Sequence, residues 1–231
     1  FFQENPDLGV VSCLVNYLGD KEKNFGYYHY VQWTNEVITQ NDIYLKRFME
    51  SPMAHPSVMF RKELFKKYGV YKEGEFPEDY ELWLRLMEKG VKFGKVPEYL
   101  LDWYDDDNRL SRRHKKYSSE AFYYIKAEYF SKWYKSYFSS TPPQILIWGT
   151  GKPVKQKSEY LEDFDLEIAG YIDIIDKPDH WFNNKPVFYY KDLPERIFIL
   201  SYIGDRQGKK MVYEYLKSNG YEEGRNFYFM T

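Results

Sequence analysis

Glu78 and Asp79 stand directly behind Pro77 and directly ahead of the amphipathic run Tyr80-Glu81-Leu82-Trp83-Leu84-Arg85-Leu86-Met87. Tyr80, Trp83, Leu84 and Met87 follow i, i+3, i+4, i+7 spacing, with Leu82 and Leu86 widening the stripe. Lys89-Gly90 then supplies a basic last turn and a C-cap glycine. The pattern predicts a well-anchored helix with two carboxylates at its mouth. A carboxylate so placed is held still and aimed, which general-base catalysis requires. The plain alternative is capping, because unpaired N–H groups and the macrodipole draw acids to helix N-termini.

A second run with chemical potential is Gly149-Thr150-Gly151-Lys152-Pro153-Val154, behind the apolar stretch Gln144–Trp148. It approaches the dinucleotide fingerprint G-x-G-x-x-G, and Asp173 falls where an acid would take a ribose hydroxyl. Gly149, Gly151 and Asp173 are therefore candidate cofactor-binding residues. Val154 replaces the third glycine, and Pro153 removes one N–H from the turn. The competing reading is a module used for packing or docking.

Composition limits the classes available. The chain has 231 residues and a net charge of −2, enough for two modest domains and without a global pull towards nucleic acid. The single cysteine, Cys13, lies in an apolar run and suits a reducing compartment as a small core residue. No apolar stretch reaches transmembrane length. Aromatic residues make up 21%, with 25 tyrosines spread along the whole chain, a distribution that points to cores and half-covered surfaces rather than to one site.

The elements that must position these residues follow from periodicity. Gly9–Leu18 reads as a buried strand, His29–Thr39 and Asp42–Met49 as short helices, and Met53–Phe60 as a brief strand leading into a helix over Arg61–Tyr68. Lys92–Val96 and Glu98–Trp103 read as two strands, and residues 102–108 as an acidic loop. A long helix runs from Ser111 to about Phe138 with seven Lys or Arg against two Glu. That charge reads as a solvated face, with contact to an anionic membrane surface or a diphosphate as the second reading. Ser139-Ser140-Thr141-Pro142-Pro143 marks a boundary. Beyond it, strands at Gln144–Trp148, Glu167–Ile172, Arg196–Tyr202 and Asn226–Phe229 alternate with helices at Val154–Leu161 and Asp205–Ser218, predicting a small parallel sheet.

Several marks then fall in order: His55-Pro56-Ser57-Val58-Met59-Phe60-Arg61-Lys62, Glu78-Asp79 at the helix mouth, then Trp103, Asp105 and Arg109-Leu110-Ser111-Arg112. This order resembles the later half of a glycosyltransferase family 2 enzyme of the GT-A fold, over roughly residues 1–138. The resemblance implies an α/β protein: a partial GT-A-like domain over residues 1–138, a linker at 139–143 and a Rossmann-like domain over 144–231, similar to one appended to some bacterial family 2 transferases. It implies Asp79 as general base with Glu78 as its neighbour. His55 and Ser57 match the acceptor side, Trp83 and Arg85 the helix behind the base, and Arg109, Ser111 and His114 the segment near the donor diphosphate. The implied reaction moves a sugar from a nucleotide-sugar to a glycan or lipid-linked acceptor, in the cytoplasm or at the inner membrane surface. The family's nucleotide-binding strands and its Asp-x-Asp, which holds a divalent Mg or Mn, come before the segment that Phe1–Leu18 resembles. The chain is thus expected to bind nucleotide-sugar weakly or not at all, to transfer no sugar alone and to require no cofactor itself. Asp105-x-Asp107 lies too far downstream to serve as that metal motif and reads as a solvated loop.

Overall fold

A computed structural model describes residues 1–106 and 114–231. The protein is α/β, in two compact units, Phe1–Phe122 and Tyr123–Thr231.

The first unit is built on a three-stranded sheet in the order β2-β1-β3, with β1 at Leu8–Leu18, β2 at Met59–Phe60 and β3 at Lys92–Tyr104. β1 pairs antiparallel with β2 and parallel with β3. Its near-continuous apolar sequence suits a strand covered on both faces. β3 is one strand, where the sequence suggested two. Pro97 is accommodated because β3 is an edge strand and the pairing skips residues between Val96 and Tyr99, a bulge at which a missing N–H costs little.

Around this sheet lie α1 (Phe25–Glu36), α2 (Gln40–Lys46), α3 (Glu63–Tyr68) and α4 (Glu78–Glu88). α1 begins at Phe25, earlier than expected, and the expected strand over Met53–Phe60 is mostly a 3-10 turn, His55–Ser57, followed by the two residues of β2. Pro56 at the start of that turn accounts for the change, since proline presets φ and has no N–H for a ladder. α4 starts at Glu78, as its pattern predicts, and Tyr80 through Met87 are all buried. Trp83, Leu82, Leu86 and Met87 join Val10, Val37, Ile43, Met53 and Phe93 in the core. The site helix is therefore gripped on every side, and its mouth is fixed.

α5 spans Ser119–Tyr137, after a 3-10 turn at Lys115–Tyr117. The division between the units falls inside α5, between Phe122 and Tyr123, and residues 139–143, which the sequence marks as a linker, follow that helix. The cause is aromatic packing: Phe130 and Trp133 lie 5.8 and 5.7 Å from Phe198, and Trp133 lies 5.0 Å from Tyr228. Most of the helix thereby belongs to the second unit's core.

That unit contains β4 (Gln144–Trp148), α6 (Lys152–Ser158), β5 (Ile168–Asp173), β6 (Trp181–Phe182), β7 (Lys185–Tyr189), β8 (Ile197–Ser201), α7 (Arg206–Ser218) and β9 (Phe227–Phe229). The sheet order is β6-β7-β5-β4-β8-β9, parallel except for the β6–β7 hairpin. The chain starts in the middle and winds outward both ways, which places a topological switch between β4 and β8. The hairpin escaped the sequence reading, yet its signal was present. Asn183-Asn184 sit at φ 53° and 58°, the left-handed pair that a two-residue hairpin turn demands. Gly170 permits close pairing of β5 with β7, since a Cβ there would lie 2.8 Å from the Pro186 carbonyl oxygen and 2.7 Å from the Phe188 ring. Gly170→Ala should lower stability by about 1–3 kcal/mol in urea unfolding, because a backbone oxygen cannot rotate away. An unchanged midpoint would show that β7 shifts freely.

Candidate active site

Asp79 sits in the first turn of α4, on the lining of a cleft of about 750 Å³ in the first unit. Its Oδ1 accepts a hydrogen bond from the Tyr80 N–H at 2.8 Å, and its Oδ2 lies 3.7 Å from His55 Nδ1. The other nitrogen of that ring, Nε2, is 2.9 Å from the Tyr71 hydroxyl. A carboxylate, an imidazole and a phenol thus form a chain, with Asp79 facing the cleft and 21% of its side chain exposed. Burial raises the Asp79 carboxyl above its ordinary 3.8; His55 and the Tyr80 N–H oppose the rise, and the charge on Glu78 adds to it. A carboxylate made more basic in this way is a better proton acceptor.

Glu78 behaves differently from its neighbour. Burial would raise its carboxyl, but the Lys116 ammonium at 2.9 Å and the Tyr117 hydroxyl, which donates at 2.9 and 3.0 Å, hold it below the ordinary range. Glu78 is thereby engaged with the 3-10 turn Lys115–Tyr117, and it fixes Tyr117, which lines the cleft.

Among the other expected residues, His55 joins Asp79 in the cleft. The Ser57 hydroxyl donates to the Ala54 carbonyl at 2.7 Å and so stabilises the turn carrying His55. Trp83 is buried in the core, its ring 5.9 Å from His55 in an edge arrangement and its indole N–H without a hydrogen-bond acceptor among the described residues. Arg85 is buried too: its guanidinium donates to the Glu81 carboxylate at 3.0 Å and to the Gly69 and Val70 carbonyls at 3.2 and 2.8 Å, and it also meets the Tyr68 carbonyl. Both support the site from behind. His114 accepts from the Lys116 N–H at 3.2 Å and caps the turn that meets Glu78. Arg109 and Ser111 lie outside the described residues.

Tyr27, Tyr30, Glu50, Ser51 and Tyr117 line the cleft beside Asp79 and were not singled out in the sequence. Aromatic residues spread over the whole chain offer no local signal for them.

Lys95 supports the floor of this unit. Its ammonium is buried and donates to the Thr34 carbonyl at 2.5 Å and the Pro52 carbonyl at 3.0 Å, tying α1 to the segment before His55. Burial pulls it from 10.5 down to about 8, with Cys13 opposing. Between those values the unfolded chain binds more protons than the folded one, so stability rises with pH. The stability of the protein relative to Lys95→Met should therefore rise between pH 8 and 10, with a slope approaching ~1.4 kcal/mol per pH unit. A difference that stays constant with pH would mean that Lys95 is solvated.

In the second unit, the Gly149 N–H donates to the Ile172 carbonyl at 2.9 Å, and the Thr150 hydroxyl donates to the Asp173 carboxylate. Asp173 also accepts from the Ile175 N–H at 3.0 Å. Gly149, at φ 117°, is needed for the turn, and Gly151 caps α6. The structure brings this set together, with Asp173 already engaged by its own loop.

For a divalent metal, no group of three or more His, Cys, Asp or Glu suited to an ion occurs among the described residues. Asp105 accepts from the Tyr17 hydroxyl at 2.6 Å, which is a structural use of that acid. No described helix is long and apolar enough to cross a membrane.

Searched against models of known protein families, the chain matches none. Over 91 residues it is 31% identical to the amylovoran biosynthesis glycosyltransferase AmsE of Erwinia amylovora, a match that covers 39% of this chain and 32% of that protein. The chain thus spans about a third of the length of this curated relative, and over that span it is similar to a glycosyltransferase.

Proposed function

We propose that the first unit is the acceptor-side part of an inverting glycosyltransferase, GT-A-like and akin to family 2, acting in bacterial polysaccharide biosynthesis. The observation that carries this reading is Asp79: a carboxylate made more basic by burial, fixed at a helix mouth and opening into a cleft. The similarity to a named glycosyltransferase supports it. In this reading Asp79 removes the proton of an acceptor hydroxyl of a glycan or lipid-linked acceptor. The oxygen attacks the anomeric carbon of a nucleotide-sugar, the bond from that carbon to the diphosphate oxygen breaks, and the anomeric configuration inverts. A sugar hydroxyl is a poor nucleophile at neutral pH, and a positioned base offsets that. Arg109 and Ser111 are proposed to serve the diphosphate.

The second unit, with its outward-winding parallel sheet, is proposed as a Rossmann-like docking module. The engagement of Asp173 by Thr150 and Ile175 weighs against a ribose-binding role. The test is a transfer assay on a protein that contains this chain and is competent for transfer, with the product's anomeric configuration read by NMR. Inverted product whose formation depends on Asp79 is expected. A retained configuration, or turnover independent of Asp79, would overturn the reading.

A further inference from the structure

Two proton acceptors stand side by side on the cleft, the Asp79 carboxylate and the His55 imidazole. An acid beside the Nδ1 of a histidine usually orients that ring, whose Nε2 then acts as the base. Here that second nitrogen is taken. Nε2 lies 2.9 Å from the Tyr71 hydroxyl, while Nδ1 lies 3.7 Å from Asp79 Oδ2.

Both rings are held in this pose. His55 belongs to the 3-10 turn that Pro56 and the Ser57–Ala54 hydrogen bond stiffen, and it packs edge-on to Trp83 at 5.9 Å. Tyr71 meets the Phe65 ring at 5.8 Å, and Arg85 donates to the Val70 carbonyl just before it. The His55–Tyr71 hydrogen bond can run in either direction, so the other side of the imidazole decides. A bare Nδ1 would point its lone pair at an ionised carboxylate, whereas an Nδ1–H presents a positive edge to it. The Tyr71 hydroxyl must then donate to Nε2. It has the proton to give, because burial and the charges of Asp79 and Glu78 push it above its ordinary 10.0.

We propose that His55 is a positioning residue, locked by Tyr71 as the Nδ1–H tautomer, which aims Asp79 Oδ2 and leaves Asp79 as the base of the cleft. This deepens the transferase reading and rests on it, inverting the roles usual for an acid–histidine pair. With Nε2 occupied and Nδ1 already carrying hydrogen, neutral His55 has no lone pair left for the acceptor's proton. That proton passes to Asp79. A separation of 3.7 Å is too long for a hydrogen bond, so Nδ1–H orients Oδ2 electrostatically and leaves it open to a hydroxyl.

Long-range ¹⁵N–¹H NMR on the whole chain tests the assignment, in mildly alkaline buffer where neutral imidazole predominates. The chain has four histidines, and the His55 signals are identified by their loss in His55→Asn. His55 should carry its hydrogen on Nδ1, the tautomer that free histidine disfavours, and Tyr71→Phe should shift the Nε2 resonance. Hydrogen on Nε2, or an Nε2 resonance indifferent to Tyr71→Phe, would overturn the proposal. In a transfer-competent protein containing this chain, His55→Ala should lower kcat about tenfold with little change in KM, since a misaimed base costs turnover rather than binding. His55→Asn, whose amide N–H falls where Nδ1–H stood, should recover most of that loss. Equal losses in the two variants would also overturn the proposal, and equal losses of about 10²–10⁴-fold would make His55 the base. The tautomer is read on the unaltered chain without turnover. A transferase reading lost through turnover independent of Asp79 is therefore told apart from a wrong assignment of His55.

Discussion

Asp79→Asn lowers kcat for sugar transfer by about 10²–10⁴-fold, the range expected for loss of a positioned general base, with a much smaller change in KM. Asparagine keeps the shape and can still accept from the Tyr80 N–H, so the helix mouth survives while the proton acceptor is lost. Stability provides an independent check. Burial raises the Asp79 carboxyl above its ordinary value, so the folded state holds this proton more tightly than the unfolded one. That contribution to stability is complete below the unfolded pKa and disappears as pH rises through the folded one. At neutral pH the ionised Asp79 is therefore a burden on the fold. Asp79→Asn should be at least as stable as the parent protein at pH 7 and should lose that advantage in acid. Glu78→Gln gives the contrast: its carboxylate stabilises through Lys116 and Tyr117, so its loss destabilises at neutral pH and has a smaller effect on kcat. An Asp79→Asn protein with near-normal turnover removes Asp79 from the chemistry. One that is markedly less stable at pH 7 shows the carboxylate to be a structural cap.

The division of labour between these adjacent acids shows what sequence reading reaches. The start of α4, its apolar stripe and the capping glycine Gly90 are local patterns, and the helix runs as they predict. Which acid faces the cleft is not local, because the partners of Glu78 lie 38 and 39 residues downstream and bind it only once the chain has folded. Glu81 and Arg85, four residues apart, look like an ordinary solvated helix pair. They are buried because residues 68–70 at the end of α3 close over them, which helical periodicity does not encode. The winding sheet of the second unit was legible from alternating strands and helices. Its antiparallel edge was not, because β6 is only two residues long and Pro186 masks β7. The aromatic lining of the cleft was hidden by abundance: with tyrosine spread along the whole chain, nothing local separates Tyr27 and Tyr30 from core fillers.

Arg85→Met should produce the largest loss of stability among these changes, about 3–5 kcal/mol. The Glu81 side chain is 1% exposed and is held by Arg85 at 3.0 Å and by Lys72 at 2.8 Å. Lys72 is half-exposed and flexible, so it compensates only in part once the guanidinium is gone. The carbonyls of Tyr68, Gly69 and Val70 also lose their donor. Gly69 marks how close this contact is: at φ 85° it caps α3, and a Cβ there would lie 3.3 Å from Arg85 Nη1. For a chain of this size the loss corresponds to a fall in melting temperature on the order of 10 °C. Glu81→Leu combined with Arg85→Met removes the stranded charge and should recover part of the stability, because a buried pair is costly chiefly when one partner is removed. Activity should not recover with it. The carbonyls that Arg85 holds lead directly into Tyr71, whose hydroxyl meets His55, and His55 faces Asp79. A double variant with restored melting and reduced kcat would place Arg85 in positioning the base. Full recovery of both confines it to stability, and a single Arg85→Met variant within about 1 kcal/mol of the parent would show that the pair is solvated and the loop held by other contacts.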